Sequence, residues 1–167
     1  MTKRVLIIAT SNTQLGDTGK PTGVWAEELV IPYYTLVDAG ASVVIATPKG
    51  GPLAFDPASL KPAGQNDALT ERFLADPTAQ ALAQATSVAG SVDAASFDVV
   101  FFPGGHGTMW DLPLDAGVTR SVEAAFAAGA FIAAVCHGAA GLVTARDPDG
   151  NPIVQGKRIS AFTDAEE

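Results

Sequence analysis

The sequence predicts one α/β domain built on a doubly wound, mostly parallel sheet with helices on both faces. Two observations predict it. Short β-branched runs alternate with longer helical stretches, in the order β-α-β-α-β-α-β-α-β that parallel strands with right-handed crossovers produce. The first run, residues 5–10, is continuously apolar, as a strand buried on both faces must be. At 167 residues, 47% hydrophobic and 17% charged, the chain suits one domain with a full core.

The elements follow in order. After the first strand comes a polar, glycine-rich loop over 11–22. A helix over 24–39 is closed by Gly40 and interrupted by Pro32. Residues 42–47 form the second strand, stopped by Pro48 and the glycines after it. Residues 56–95 are the least decisive stretch, with short helices at 68–75 and 78–85. The strand at 98–102 runs into Pro103-Gly104-Gly105-His106-Gly107. An alanine-rich helix over 115–128 is capped at Gly129, a strand covers 131–135, and a helix starts near Gly138. A turn around Asp147–Pro152 leads to a last strand at 158–162. The whole is flavodoxin-like, with no internal linker: one domain over 1–167.

Composition narrows the partners. A net charge of −8 disfavours nucleic acid and anionic membrane surfaces. No apolar run reaches the roughly 20 residues that span a bilayer. One cysteine rules out an intramolecular disulfide, and the expected compartment is the reducing cytoplasm.

In open α/β sheets, functional groups gather at the carboxyl ends of the strands. The cysteine and both histidines of the chain fall in that set. Cys136 ends a strand and is followed at once by small residues. This is the layout of a nucleophile elbow, with cysteine for serine and Ala134 for the first glycine. A helix starting beside the sulfur favours the thiolate, so Cys136 is expected to titrate at about 3.5–7.5. His137 is the candidate base. The alternative is a buried structural cysteine. The Gly104-Gly105-His106-Gly107 run is either a tight turn or a set of N–H groups aimed at an oxyanion. His106 is either a donor in the substrate pocket or a loop residue. Glu27 and Glu28 open the first helix, as solvated acids or with one reaching the site. Neither a dinucleotide-binding motif nor a metal-ligand spacing is present, so no cofactor and no metal are expected.

Four segments together resemble the ThiJ/PfpI branch of the class I glutamine amidotransferase-like superfamily, in particular its glutathione-independent glyoxalase III and holding-chaperone group. They are Thr22-Gly23-Val24-Trp25-Ala26-Glu27-Glu28 with Pro32, then Gly104-Gly105-His106-Gly107-Thr108 with Asp111. Ala133-Ala134-Val135-Cys136-His137-Gly138 is the third, and the stretch from Gly156 through Phe162-Thr163-Asp164-Ala165-Glu166-Glu167 is the fourth. The resemblance implies Cys136 as nucleophile, His137 as its base, and Glu28 as the acid that hydrogen-bonds the sulfur. It implies Glu167 as the carboxylate orienting the histidine, and the N–H groups of Gly105 and His137 as the oxyanion hole. Ile31 stands where the group commonly has histidine, and family members continue for one more strand and helix beyond Glu167. The implied activity converts 2-oxoaldehydes such as methylglyoxal to 2-hydroxy acids, in a homodimer. The competing readings are a cysteine hydrolase (peptidase, amidase or deglycase) and a stress chaperone or redox sensor.

Overall fold

A computed structural model of the chain describes residues 2–163 and 165. Five parallel strands form one sheet: β1 (Arg4–Ile8), β2 (Ser42–Thr47), β3 (Ser87–Val88), β4 (Val99–Phe102) and β5 (Phe131–Ala134), in the order β3-β2-β1-β4-β5. The connections run one way from β1 to β2 and the other way from β4 to β5. The topological switch point therefore lies between β1 and β4, where such sheets open a crevice.

The period of two along β1 explains both cores. Leu6 and Ile8 face one side, with Val100, Phe102, Val118 and Val122. Val5 and Ile7 face the other, with Leu29, Val30, Tyr34, Ile45 and Phe73. The first side is covered by α5 (Ala116–Ala127), the second by α1 (Ala26–Asp38), α2 (Ala68–Ala75) and α3 (Pro77–Gln84). The helix ends match their local chemistry. Asp67, Asp76 and Asp115 each accept N–H groups of the first turn that follows them. Gly40 and Gly129 take the positive φ values that terminate α1 and α5.

α1 starts without a side-chain cap of its own, and distant groups supply what it lacks. Buried Ser59 accepts the Ala26 N–H at 3.0 Å, and the Trp25 N–H donates to the Gly104 carbonyl at 3.0 Å. The entry of α1 is thereby tied to the loop after β4. Pro32 lies inside the helix, so its missing N–H leaves the Glu28 carbonyl without an i+4 donor.

Two expected elements differ, and one strand is additional. Residues 158–162 are exposed and join no strand of the sheet; Phe162 instead stacks on the His137 ring. The segment after Cys136 is a seven-residue 3₁₀ turn, Cys136–Leu142, in place of an α-helix. The stretch between α3 and β4 contributes β3, a strand of two residues paired to Ala46 and Thr47. Among the described residues no helix is long and apolar enough to cross a membrane.

Candidate functional site

The ends of β1, β4 and β5 lie along one rim of the sheet, and each delivers part of the site. From the β1 side, Glu28 stands in the first turn of α1 and accepts the Gly104 N–H on Oε2 at 2.9 Å. From β4, the chain turns at once through Gly104 and Gly105, the latter at φ +103°. From β5, it passes Val135 into Cys136, which is held at φ 55°. A non-glycine residue in the left-handed region costs about 1–2 kcal/mol, and such strain gathers where a side chain must be presented. The short 3₁₀ turn starts at this residue, so the half-buried sulfur stands at the mouth of the turn.

Space explains the glycines. A Cβ on Gly104 would lie 2.7 Å from Glu28 Oε2, 2.8 Å from Cys136 Cβ and 2.9 Å from the His137 nitrogen. Gly104 is thus the point where all three strands' contributions touch. A Cβ on Gly138 would collide with the Phe102 carbonyl, which fixes how closely the elbow approaches β4. Gly104→Ala is expected to destabilise the fold by about 1–3 kcal/mol through overpacking and to remove activity by separating Glu28 from the sulfur. Thermal melting together with turnover checks it; an alanine variant with normal turnover would mean that this junction is slack.

Around the sulfur, His137 Nδ1 lies 3.1 Å from Cys136 Sγ. The backbone N–H groups of His137 and Gly105 and the carboxylate of Glu28 also reach it. The His137 ring lies between two others: His106 at 4.7 Å between centroids and 41°, and Phe162 at 4.7 Å and 23°. His106 therefore belongs to the same cluster as the elbow histidine. Glu27, one position before Glu28, makes no hydrogen bond to this cluster among the described residues. Glu167 lies outside the described residues.

The surroundings of the thiol work against the low titration expected of it. Burial pushes the Cys136 thiol up from its ordinary value, and the Glu28 carboxylate adds to this. The N–H groups of His137 and Gly105 pull it down without prevailing.

Further residues shape the rim without a role having been read from the sequence. The Asp111 carboxylate accepts the Thr10 hydroxyl at 2.8 Å and the Ser11 N–H at 2.7 Å, joining the end of β1 to α4 (Thr108–Asp111). Burial raises the pKa of Asp111. Thr108, fully buried, contacts both the glycine loop and the elbow. The sequence signal for these two was their place in the second segment of the resemblance. Among the described residues, no group of three or more His, Cys, Asp or Glu side chains is arranged to hold a metal ion.

A doubly wound parallel sheet that presents a strained cysteine beside a histidine at its switch-point rim defines a flavodoxin-like α/β protein with a cysteine elbow. The chain belongs to the DJ-1/PfpI family, whose sequence pattern it matches over residues 21–165. It is 30% identical over 164 residues to a glutathione-independent glyoxalase of Schizosaccharomyces pombe, covering 95% of this chain and 67% of that protein. The crystal structure of glyoxalase III from Candida albicans superposes with a TM-score of 0.85 at 29% identity, over 98% of this chain and 70% of that one. The Rapid Encystment Protein of 24 kDa from Francisella tularensis superposes with a TM-score of 0.90 at 33% identity, over 99% and 72%.

Proposed function

We propose that this chain is a glyoxalase III-type enzyme that converts 2-oxoaldehydes such as methylglyoxal to 2-hydroxy acids, using no glutathione and Cys136 as nucleophile. The observation that carries the reading is the 3.1 Å approach of His137 Nδ1 to Cys136 Sγ, on a strained elbow flanked by two backbone donors. The relatives named as glyoxalases support the choice of substrate class.

The reaction runs as follows. The thiol gives its proton to His137 Nδ1 as sulfur bonds to the aldehyde carbon, and the aldehyde oxygen takes the negative charge. The Gly105 and His137 N–H groups stabilise that oxygen. The hydrogen on this carbon is then moved as a proton to the neighbouring ketone carbon through an enediol, with His137 and Glu28 as carriers, and the proton taken from the thiol passes from His137 to the former ketone oxygen, which becomes the hydroxyl. The product is a 2-hydroxyacyl thioester. Water cleaves its C–S bond, releases the acid and restores the thiol. The overall change is addition of one water, with no external oxidant or reductant.

Purified protein given methylglyoxal alone should form lactate; absence of lactate without glutathione would overturn the reading. Glu167 is proposed to fix the His137 ring, since a base works best when a third group orients it. Glu167→Gln should lower turnover about tenfold, or about 1.4 kcal/mol, while Cys136 alkylates at its usual rate. Unchanged turnover would pass the orienting role to another group.

A further inference from the structure

The glycine loop after β4 carries one of the two backbone donors at the sulfur, yet consecutive glycines are the least rigid way to hold a donor. Something outside the loop has to fix it. Gly104 is held by the Trp25 N–H on its carbonyl and by Glu28 on its own N–H. Gly105, at φ +103°, has a different restraint. The Thr108 hydroxyl lies 2.9 Å from the Gly105 carbonyl and 2.9 Å from the His137 carbonyl. These are the two residues whose N–H groups reach Cys136 Sγ. Thr108 is 0% exposed, so no water competes for its proton.

We propose that Thr108 is a positioning residue: its buried hydroxyl ties the glycine loop to the elbow and sets the separation of the two N–H donors that cradle the reacting oxygen. A hydroxyl has one proton, and the Gly105 carbonyl already accepts the Thr108 N–H at 3.2 Å. The two carbonyls, each 2.9 Å from the hydroxyl oxygen, therefore share that proton, and this shared hydrogen bond is the tie between loop and elbow. Loss of the hydroxyl removes this link between the loop and the elbow, so that the Gly105 and His137 N–H groups, which must meet the oxyanion together, can drift apart. A donor displaced by a fraction of an ångström weakens the transition state more than the bound substrate, because the full charge exists only there. The effect should therefore appear in kcat and not in KM.

This proposal rests on the glyoxalase reading for its kinetic arm, and a second arm is independent of it. Thr108→Val keeps the shape and removes the hydroxyl. It is expected to lower kcat for methylglyoxal about tenfold, where loss of a whole oxyanion donor costs a hundredfold or more, and to leave KM within about twofold. The pH midpoint of Cys136 alkylation by iodoacetamide should rise, since hydrogen bonds to the thiolate favour it and these would loosen. Thr108→Ser should restore both. A valine variant with wild-type kcat and midpoint overturns the proposal, as does a serine variant impaired like the valine one. Should the valine variant fail to fold, the serine and alanine variants differ by the hydroxyl alone, and equal behaviour of that pair overturns it. If the wild type forms no lactate, the glyoxalase reading has failed and the alkylation midpoint alone decides on Thr108.

Discussion

Replacing Cys136 by serine is expected to abolish lactate formation from methylglyoxal, by at least about a thousandfold, with the fold unchanged. The serine hydroxyl is smaller than the thiol and takes the same strained φ, so nothing in the packing opposes it. What changes is the ease of deprotonation. Burial and the Glu28 carboxylate already hold the thiol above its ordinary value. A hydroxyl in the same place is much harder to deprotonate than a thiol, and it is a weaker nucleophile toward an aldehyde. Since the chain has one cysteine, the same pair of proteins gives a second readout: iodoacetamide labels the wild type once and the serine variant not at all. Melting temperatures within a degree or two of each other would show that the variant is folded. Turnover retained within tenfold would place the nucleophile elsewhere.

How much of this site the sequence made legible depended on the range of the forces involved. Asp67 marks the start of α2, and the expected span 68–75 is the observed one, because a cap and a 3.6-residue pattern are local. The strand-to-elbow step at Cys136 was equally local, resting on small residues after an apolar strand. The strand expected at 158–162 rests on local sequence, but a strand also needs a partner edge, and local pattern carries no information on that. β3 is two residues long and has no period to detect. The turn after Cys136 is a 3₁₀ segment and not the expected α-helix, a difference set by how closely Gly138 packs on β4. The clamp at Thr108 spans 29 residues of sequence to reach His137, and only tertiary structure brings the two together.

Glu28→Gln is expected to separate two properties that usually move together: alkylation of Cys136 should become easier while turnover falls about a hundredfold, within the range of general acid–base catalysis. The sign follows from the charges. The Glu28 carboxylate raises the Cys136 pKa, both by repulsion of the thiolate and by a hydrogen bond that favours the thiol form. Glutamine keeps the oxygen that accepts the Gly104 N–H at 2.9 Å, so the loop should stay in place. It removes the negative charge and turns an N–H donor toward the sulfur, which favours the thiolate. The alkylation midpoint should therefore fall from above the free-cysteine value of about 8.5 toward it or below. Turnover falls nonetheless, because an amide cannot carry the proton between the two carbons of the substrate. Glu27→Gln is the control: neighbours on an α-helix point roughly 100° apart, so Glu27 faces away from the elbow and its loss should change turnover by less than about twofold, under 0.5 kcal/mol. Equal losses at the two positions would remove Glu28 from the chemistry. A fall in turnover at Glu28 with the alkylation midpoint unmoved would mean that its charge does not govern the thiol.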